Sequence, residues 1–102
     1  MRIISIRTLR EFWQRHADAE KPLKDWFGTT ETALWHDFTD VRQTFGSADN
    51  AKVKSGNTVT IFDIGGNKYR LITAIHYNTE TVYAMTVLAH NEYDTNKWKA
   101  RL

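Results

Sequence analysis

The fold is read from Val59-Thr-Ile-Phe-Asp-Ile-Gly-Gly-Asn-Lys-Tyr-Arg-Leu-Ile-Thr-Ala-Ile-His-Tyr77. Two arms rich in β-branched and aromatic residues flank Gly65-Gly66-Asn67. Glycine and asparagine tolerate the positive φ that tight hairpin turns demand, so the stretch is predicted to be a β-hairpin. Both arms carry apolar residues at odd and even positions, the mark of central strands covered on both faces. Strand parity places Arg70, Ile72, Ala74 and His76 on one face, and Tyr69, Leu71, Thr73, Ile75 and Tyr77 on the other. Arginine is rarely buried without a partner or an anionic ligand, so Arg70 is the first residue to question.

Upstream of the hairpin the pattern changes to a helical one. Ile3 and Ile4 suggest a short first strand, after which Ser5 can cap a helix carrying Ile6, Leu9, Phe12 or Trp13, and His16 on one stripe. His16, at the end of that helix, suits a C-terminal charge partner. Asp18 can cap a second helix, with Pro22 in its first turn and Leu23, Trp26, Phe27, Thr30, Ala33 and Leu34 along one face. Gly28 weakens its middle and invites a kink. A third short helix is expected around Phe38, Val41 and Phe45, capped by Asp37 or Thr39 and stopped at Gly46. Ala51 to Lys54 is expected to be an edge strand, Thr81 to Ala89 a further strand, and Lys97-Trp-Lys99 with Arg101 a solvated polar tail. Helices first, then a meander of antiparallel strands, is the signature of an α+β fold.

The chain has 102 residues, enough for a single domain over residues 1–102 with one modest core. It has no cysteine, which excludes a disulfide scaffold or a cysteine–zinc site and fits a reducing, cytoplasmic setting. No apolar run has the length of a membrane span, and the run at Met1–Arg7 is too short for a signal peptide. A net charge of +2 permits an anionic partner without demanding one, so any nucleic-acid site needs its charge gathered on one face.

His16, His36, His76 and His90 have no paired spacing of a metal motif, so neither metal nor cofactor is expected. Gly65-Gly66-Asn67-Lys68 lacks the glycine spacing of a phosphate loop. Arg70 has two readings of about equal weight: an ion pair with Asp63 across the hairpin, or an anion-binding group. His90 and Tyr93 follow a strand end, where loops display catalytic groups, and the alternative is a capping histidine beside a core tyrosine. Arginine, histidine, tyrosine and lysine together suit metal-free cleavage of RNA. There the 2′-OH attacks the adjacent phosphate, a base and an acid move protons, and a cation stabilises the phosphorane. DNA lacks the 2′-OH and would be spared.

Two segments carry a resemblance. Phe62-Asp-Ile-Gly-Gly-Asn-Lys-Tyr-Arg-Leu-Ile72 and His90-Asn-Glu-Tyr-Asp94 resemble the corresponding runs of HigB-type toxins of bacterial type II toxin–antitoxin systems, within the RelE/ParE-like superfamily. Arg2-Ile-Ile-Ser5, Asp18-Ala-Glu20, Trp35 and Phe38 before Asp40-Val-Arg42, and Phe45-Gly-Ser-Ala-Asp49 agree with it. The resemblance implies a small antiparallel sheet with helices beside it and a metal-independent endonuclease acting on mRNA, usually at the ribosome. It implies a helix-turn-helix antitoxin as partner, through which alone the toxin reaches operator DNA. Carried onto this chain, it makes Arg70, His90 and Tyr93 the catalytic set. Lys68 and Asn67 in the turn, with Lys97 and Lys99, are expected to hold RNA; an aromatic between basic residues suits single strands. Relatives often have threonine where this chain has Ala89. Two other readings use the same residues differently: a toxin of this fold that acts by binding, as gyrase poisons do, and a non-catalytic RNA-binding module.

Overall fold

A computed structural model describes residues 1–102. Strand β1 (Arg2–Ile4) leads into α1 (Ile6–Arg15), then α2 (Glu20–Thr32) and α3 (Phe38–Thr44). Strands β2 (Asp49–Lys52), β3 (Thr58–Ile64), β4 (Tyr69–His76) and β5 (Thr81–Ala89) follow, and α4 (His90–Asp94) closes the chain with a 3₁₀ turn at Lys97–Ala100. The five strands form one sheet in the order β1-β5-β4-β3-β2. The fold is α+β, as the succession of patterns predicts.

The expected hairpin is β3–β4, with Gly65 and Gly66 at φ +63° and +71° and Asp63 directly opposite Arg70. The antiparallel expectation holds for β2 through β5. The addition is β1, which lies parallel to β5 with Ile3 opposite Val82. Three helices separate β1 from the meander, and that long crossover is what a parallel partner needs. Strand β2 begins at Asp49, two residues before the expected start.

Residues from both sides of the sheet are buried. Leu9 and Phe12 of α1, and Leu23 and Trp26 of α2, pack over one face with Phe62, Leu71, Val82 and Val87. Phe62 is the hub: its ring lies 5.4 Å from Trp26, 6.1 Å from Trp35 and 5.3 Å from Phe45. The other face holds a smaller cluster of Val53, Val59, Ile61, Ile72, Leu88 and Trp98. Trp98 is only 1 % exposed, so the expected solvated tail is instead the cover of that face. Its indole N–H donates to the Tyr93 carbonyl at 3.1 Å, and the Lys54 amide donates to the Lys99 carbonyl at 2.9 Å.

Four local expectations at the N-terminal half change. Ser5 sits at φ +69° and its side chain caps nothing. Asp18 lies in a 3₁₀ turn, and its carboxylate accepts from Tyr69 and Lys68 across the fold instead of capping α2. Gly28 does not break α2, which runs from Glu20 to Thr32. His16 ends α1 and stacks on Phe12 at 4.3 Å, meeting an aromatic ring instead of a charge. Asp37 does cap α3, accepting from the Asp40 amide at 3.0 Å. No helix is long and apolar enough to cross a membrane.

Candidate active site at the hairpin end of the sheet

Pairing positions the site. Tyr69 lies opposite Ala89 and Arg70 opposite Leu88, and the His90 amide donates to the Lys68 carbonyl at 2.9 Å. The hairpin turn and the start of α4 are thereby tied together at one end of the sheet.

Arg70 points to the face covered by the C-terminal segment, with its side chain 12 % exposed. Its Nε lies 3.0 Å from Asp63 Oδ1 in an ion pair, while Nη1 donates to the Tyr69 carbonyl at 3.2 Å and Nη2 to Asn67 Oδ1 at 3.3 Å. The cross-hairpin ion pair therefore exists. A guanidinium has five N–H donors. With Nε facing Asp63 and one N–H of each Nη bonded, two N–H groups keep no partner in the fold, and the others fix the plane of the group. Tyr93 stands over it, its ring centre 5.3 Å from the guanidinium carbon, within cation–π range. Trp98 stacks on Tyr93 at 5.5 Å, and the Lys99 ammonium lies 5.7 Å from the Trp98 ring.

Burial pushes the Tyr93 phenol above the ordinary tyrosine value, the Asp49 carboxylate adds to the rise, and the Arg70 charge opposes it. The phenol stays protonated at neutral pH, so Tyr93 is a donor there and not a base. His90 is half exposed, and its Nε2 pairs with Asp94 Oδ2 at 3.0 Å one helical turn on. When Nε2 carries the proton to Asp94, Nδ1 is the free ring nitrogen.

The structure thus gathers Asn67, Arg70 and Tyr93 directly, with His90 on the element that carries Tyr93. Lys68 goes elsewhere: its ammonium bonds Asp18 at 3.1 Å, and Tyr69 Oη donates to the other oxygen of that carboxylate at 2.6 Å. The two bonds hold the Asp18 carboxyl below its ordinary value of 3.8, the Tyr69 bond contributing most. Lys97 is exposed in the last 3₁₀ turn. His76 is exposed at the far end of β4.

Sequence reasoning missed Asp94 as the partner of His90, although the four-residue spacing after a strand end is a legible signal. It also missed Trp98 as the support of Tyr93, and nothing local in a polar segment signals such burial. No group of three His, Asp or Glu side chains converges as metal ligands.

Residues 19–96 match the family described as HigB_toxin, RelE-like toxic component of a toxin-antitoxin system. Among curated proteins, the chain is similar to the mRNA interferase toxin HigB of Escherichia coli K12. The two are 23 % identical over 94 residues, covering 92 % of this chain and 88 % of that one. The mRNA interferases HigB of Escherichia coli O157:H7 and of Shigella flexneri align with the same identity and coverage. The match spans the hairpin, Arg70, His90 and Tyr93, and the chain belongs to the HigB family of RelE-like toxins of toxin–antitoxin systems.

Proposed function

We propose that the protein is a metal-independent endoribonuclease that cleaves mRNA on translating ribosomes and so inhibits translation and growth. The observation that carries this reading is a guanidinium held in place by Asp63, Asn67 and a main-chain carbonyl beneath a protonated phenol, with a histidine on the same short helix. Relatives named mRNA interferase support the choice of RNA.

In this reading the 2′-oxygen loses its proton and attacks the adjacent phosphorus. The P–O5′ bond breaks, leaving a 2′,3′-cyclic phosphate and a 5′-hydroxyl, with the proton delivered to O5′. His90 exchanges protons with the reacting oxygens, and Asp94 orients its ring. The two free N–H groups of Arg70 meet the phosphorane charge. Tyr93 donates a hydrogen bond to the phosphate, and Trp98 holds its ring in place. Lys97, Lys99 and Asn67 line the path of the strand. Lys68 joins only by leaving Asp18. A cytoplasmic helix-turn-helix antitoxin neutralises the toxin and alone connects it to operator DNA.

The test is to map mRNA 5′ ends within minutes of induction, beside Arg70→Ala and His90→Ala proteins at equal level. New ends bearing 5′-hydroxyls inside translated frames, absent in both variants, are expected. Growth arrest with intact mRNA would overturn the nuclease and favour inhibition by binding.

A further inference from the structure

Attack by a 2′-hydroxyl needs two proton carriers, a base at the 2′-oxygen and an acid at O5′. The attacking and leaving oxygens lie in line through phosphorus, so base and acid must flank the group that holds the phosphate. His90 supplies one carrier. Tyr93 does not supply the base, since its phenol keeps its proton at neutral pH.

Sheet order decides what can stand opposite His90. Four strands run across the sheet as β5, β4, β3, β2. His90 follows β5, Arg70 lies on β4, Asp63 on β3, and Asp49 opens β2. Asp49 pairs with Ile61, which belongs to the cluster beneath the C-terminal segment. Asp63, two residues further and opposite Arg70, shares that face. Asp49 therefore stands on the face of Arg70, across it from His90. After burial itself, the Asp49 carboxylate does most to raise the Tyr93 phenol, ahead of Asp63 and Asp94.

Two of these three carboxylates are already engaged. Asp63 lies 3.0 Å from Arg70, and Asp94 lies 3.0 Å from His90. A carboxylate held by a cation is the weaker base. Asp49 is exposed and takes part in no ion pair. Its Oδ1 accepts from the Asn50 amide at 2.8 Å, which leaves Oδ2 without a partner.

We infer that Asp49 is the general base of the cleavage, with His90 as the acid and Arg70 holding the phosphate between them. The inference rests on the nuclease reading and deepens it. Asp49 Oδ2 takes the proton of the 2′-hydroxyl, and the freed electron pair forms the bond from the 2′-oxygen to phosphorus. The P–O5′ bond breaks, and its electron pair takes the proton that the His90 imidazolium gives from Nδ1. Solvent then removes the proton from Asp49 and returns one to His90.

Two mRNAs programmed on ribosomes test this, identical except that sulfur replaces O5′ at the cleaved bond in one of them. A thiolate leaves without a proton, so sulfur restores an enzyme that lacks the acid and not one that lacks the base. Asp49→Asn keeps an oxygen for the Asn50 amide and is expected to melt at the wild-type temperature. Its single-turnover cleavage is expected to fall about 10²–10⁴-fold on the oxygen RNA and to stay as far below wild type on the sulfur RNA. His90→Ala is expected to recover on the sulfur RNA. Asp49→Glu, which restores a carboxylate, is expected to cleave both RNAs faster than Asp49→Asn. Wild-type cleavage by Asp49→Asn would overturn the assignment and leave the nuclease reading standing. So would recovery of Asp49→Asn on the sulfur RNA, since Asp49 would then serve the leaving group. Failure of the wild-type protein to cut either RNA would remove the nuclease reading and the base with it.

Discussion

The two faces of the sheet are built for different ends. The helix-covered face joins sixteen buried residues from four elements or more, centred on aromatic rings around Phe62. The opposite face joins only six, under one short C-terminal segment. A full second layer would leave no room for charge. Partial cover leaves a margin where Arg70 and Asp63 stay paired at 12 % and 28 % side-chain exposure, reachable by a ligand yet held in place. Stability comes chiefly from the first face, and the candidate chemistry sits at the edge of the second.

That contrast can be broken by experiment. Phe62→Ala removes the hub of the larger cluster and should cost about 3–5 kcal/mol, read by urea unfolding. Its remaining folded fraction should cleave RNA normally. Arg70→Ala should do the reverse, lowering single-turnover cleavage on the order of 10²–10³-fold with little change in the urea midpoint. If the two variants moved both quantities alike, the division of labour would be wrong. Trp98→Phe keeps an apolar ring but loses the bond to the Tyr93 carbonyl, a cost of about 1 kcal/mol in stability. A larger fall in cleavage than in stability would show that Trp98 serves Tyr93 as well as the fold.

The smaller effects sharpen the same comparison within the helical layer. Thr30 is fully buried and its hydroxyl has no partner, so Thr30→Val should be neutral or stabilise by up to about 1 kcal/mol in urea unfolding. Asp18 supplies an acid-range effect. Its carboxyl titrates lower in the folded protein than the ordinary 3.8 because of Tyr69 and Lys68. Its contribution is therefore complete above 3.8 and is lost as pH falls below that value toward the folded one. Asp18→Asn should flatten the acid limb of a stability–pH profile and leave neutral cleavage intact. A drop in neutral cleavage would instead place the Lys68–Asp18 pair in the site.

Much of this was legible in the chain. Gly65-Gly66-Asn67 between two β-rich arms placed Asp63 against Arg70, because a hairpin turn sets the register of its strands. Of the two readings of Arg70, the ion pair with Asp63 is present, and it leaves two guanidinium N–H groups without a partner in the fold. Asp18 misled because an acidic residue before a helix is locally a cap. Its partners Tyr69 and Lys68 lie about fifty positions away, beyond any local pattern.

Strand β5 shows most clearly where sequence reasoning stops. Ile72 pairs with Thr86 but Thr73 pairs with Ala84, so Met85 is an extra residue, a β-bulge. Before it Val82 and Ala84 face the helices; after it Val87 does, and Leu88 turns to Trp98. Simple alternation would put Leu88 with the helices. By itself the sequence determined the helical and strand periods and the hairpin turn, since each depends on near neighbours and backbone sterics, and it offered the pairing of Asp63 with Arg70 as one of two readings. The parallel seat of β1, the bulge at Met85, the burial of Trp98 and the departure of Lys68 to Asp18 were decided only by tertiary structure. Each depends on which distant surfaces meet, and no local preference encodes that.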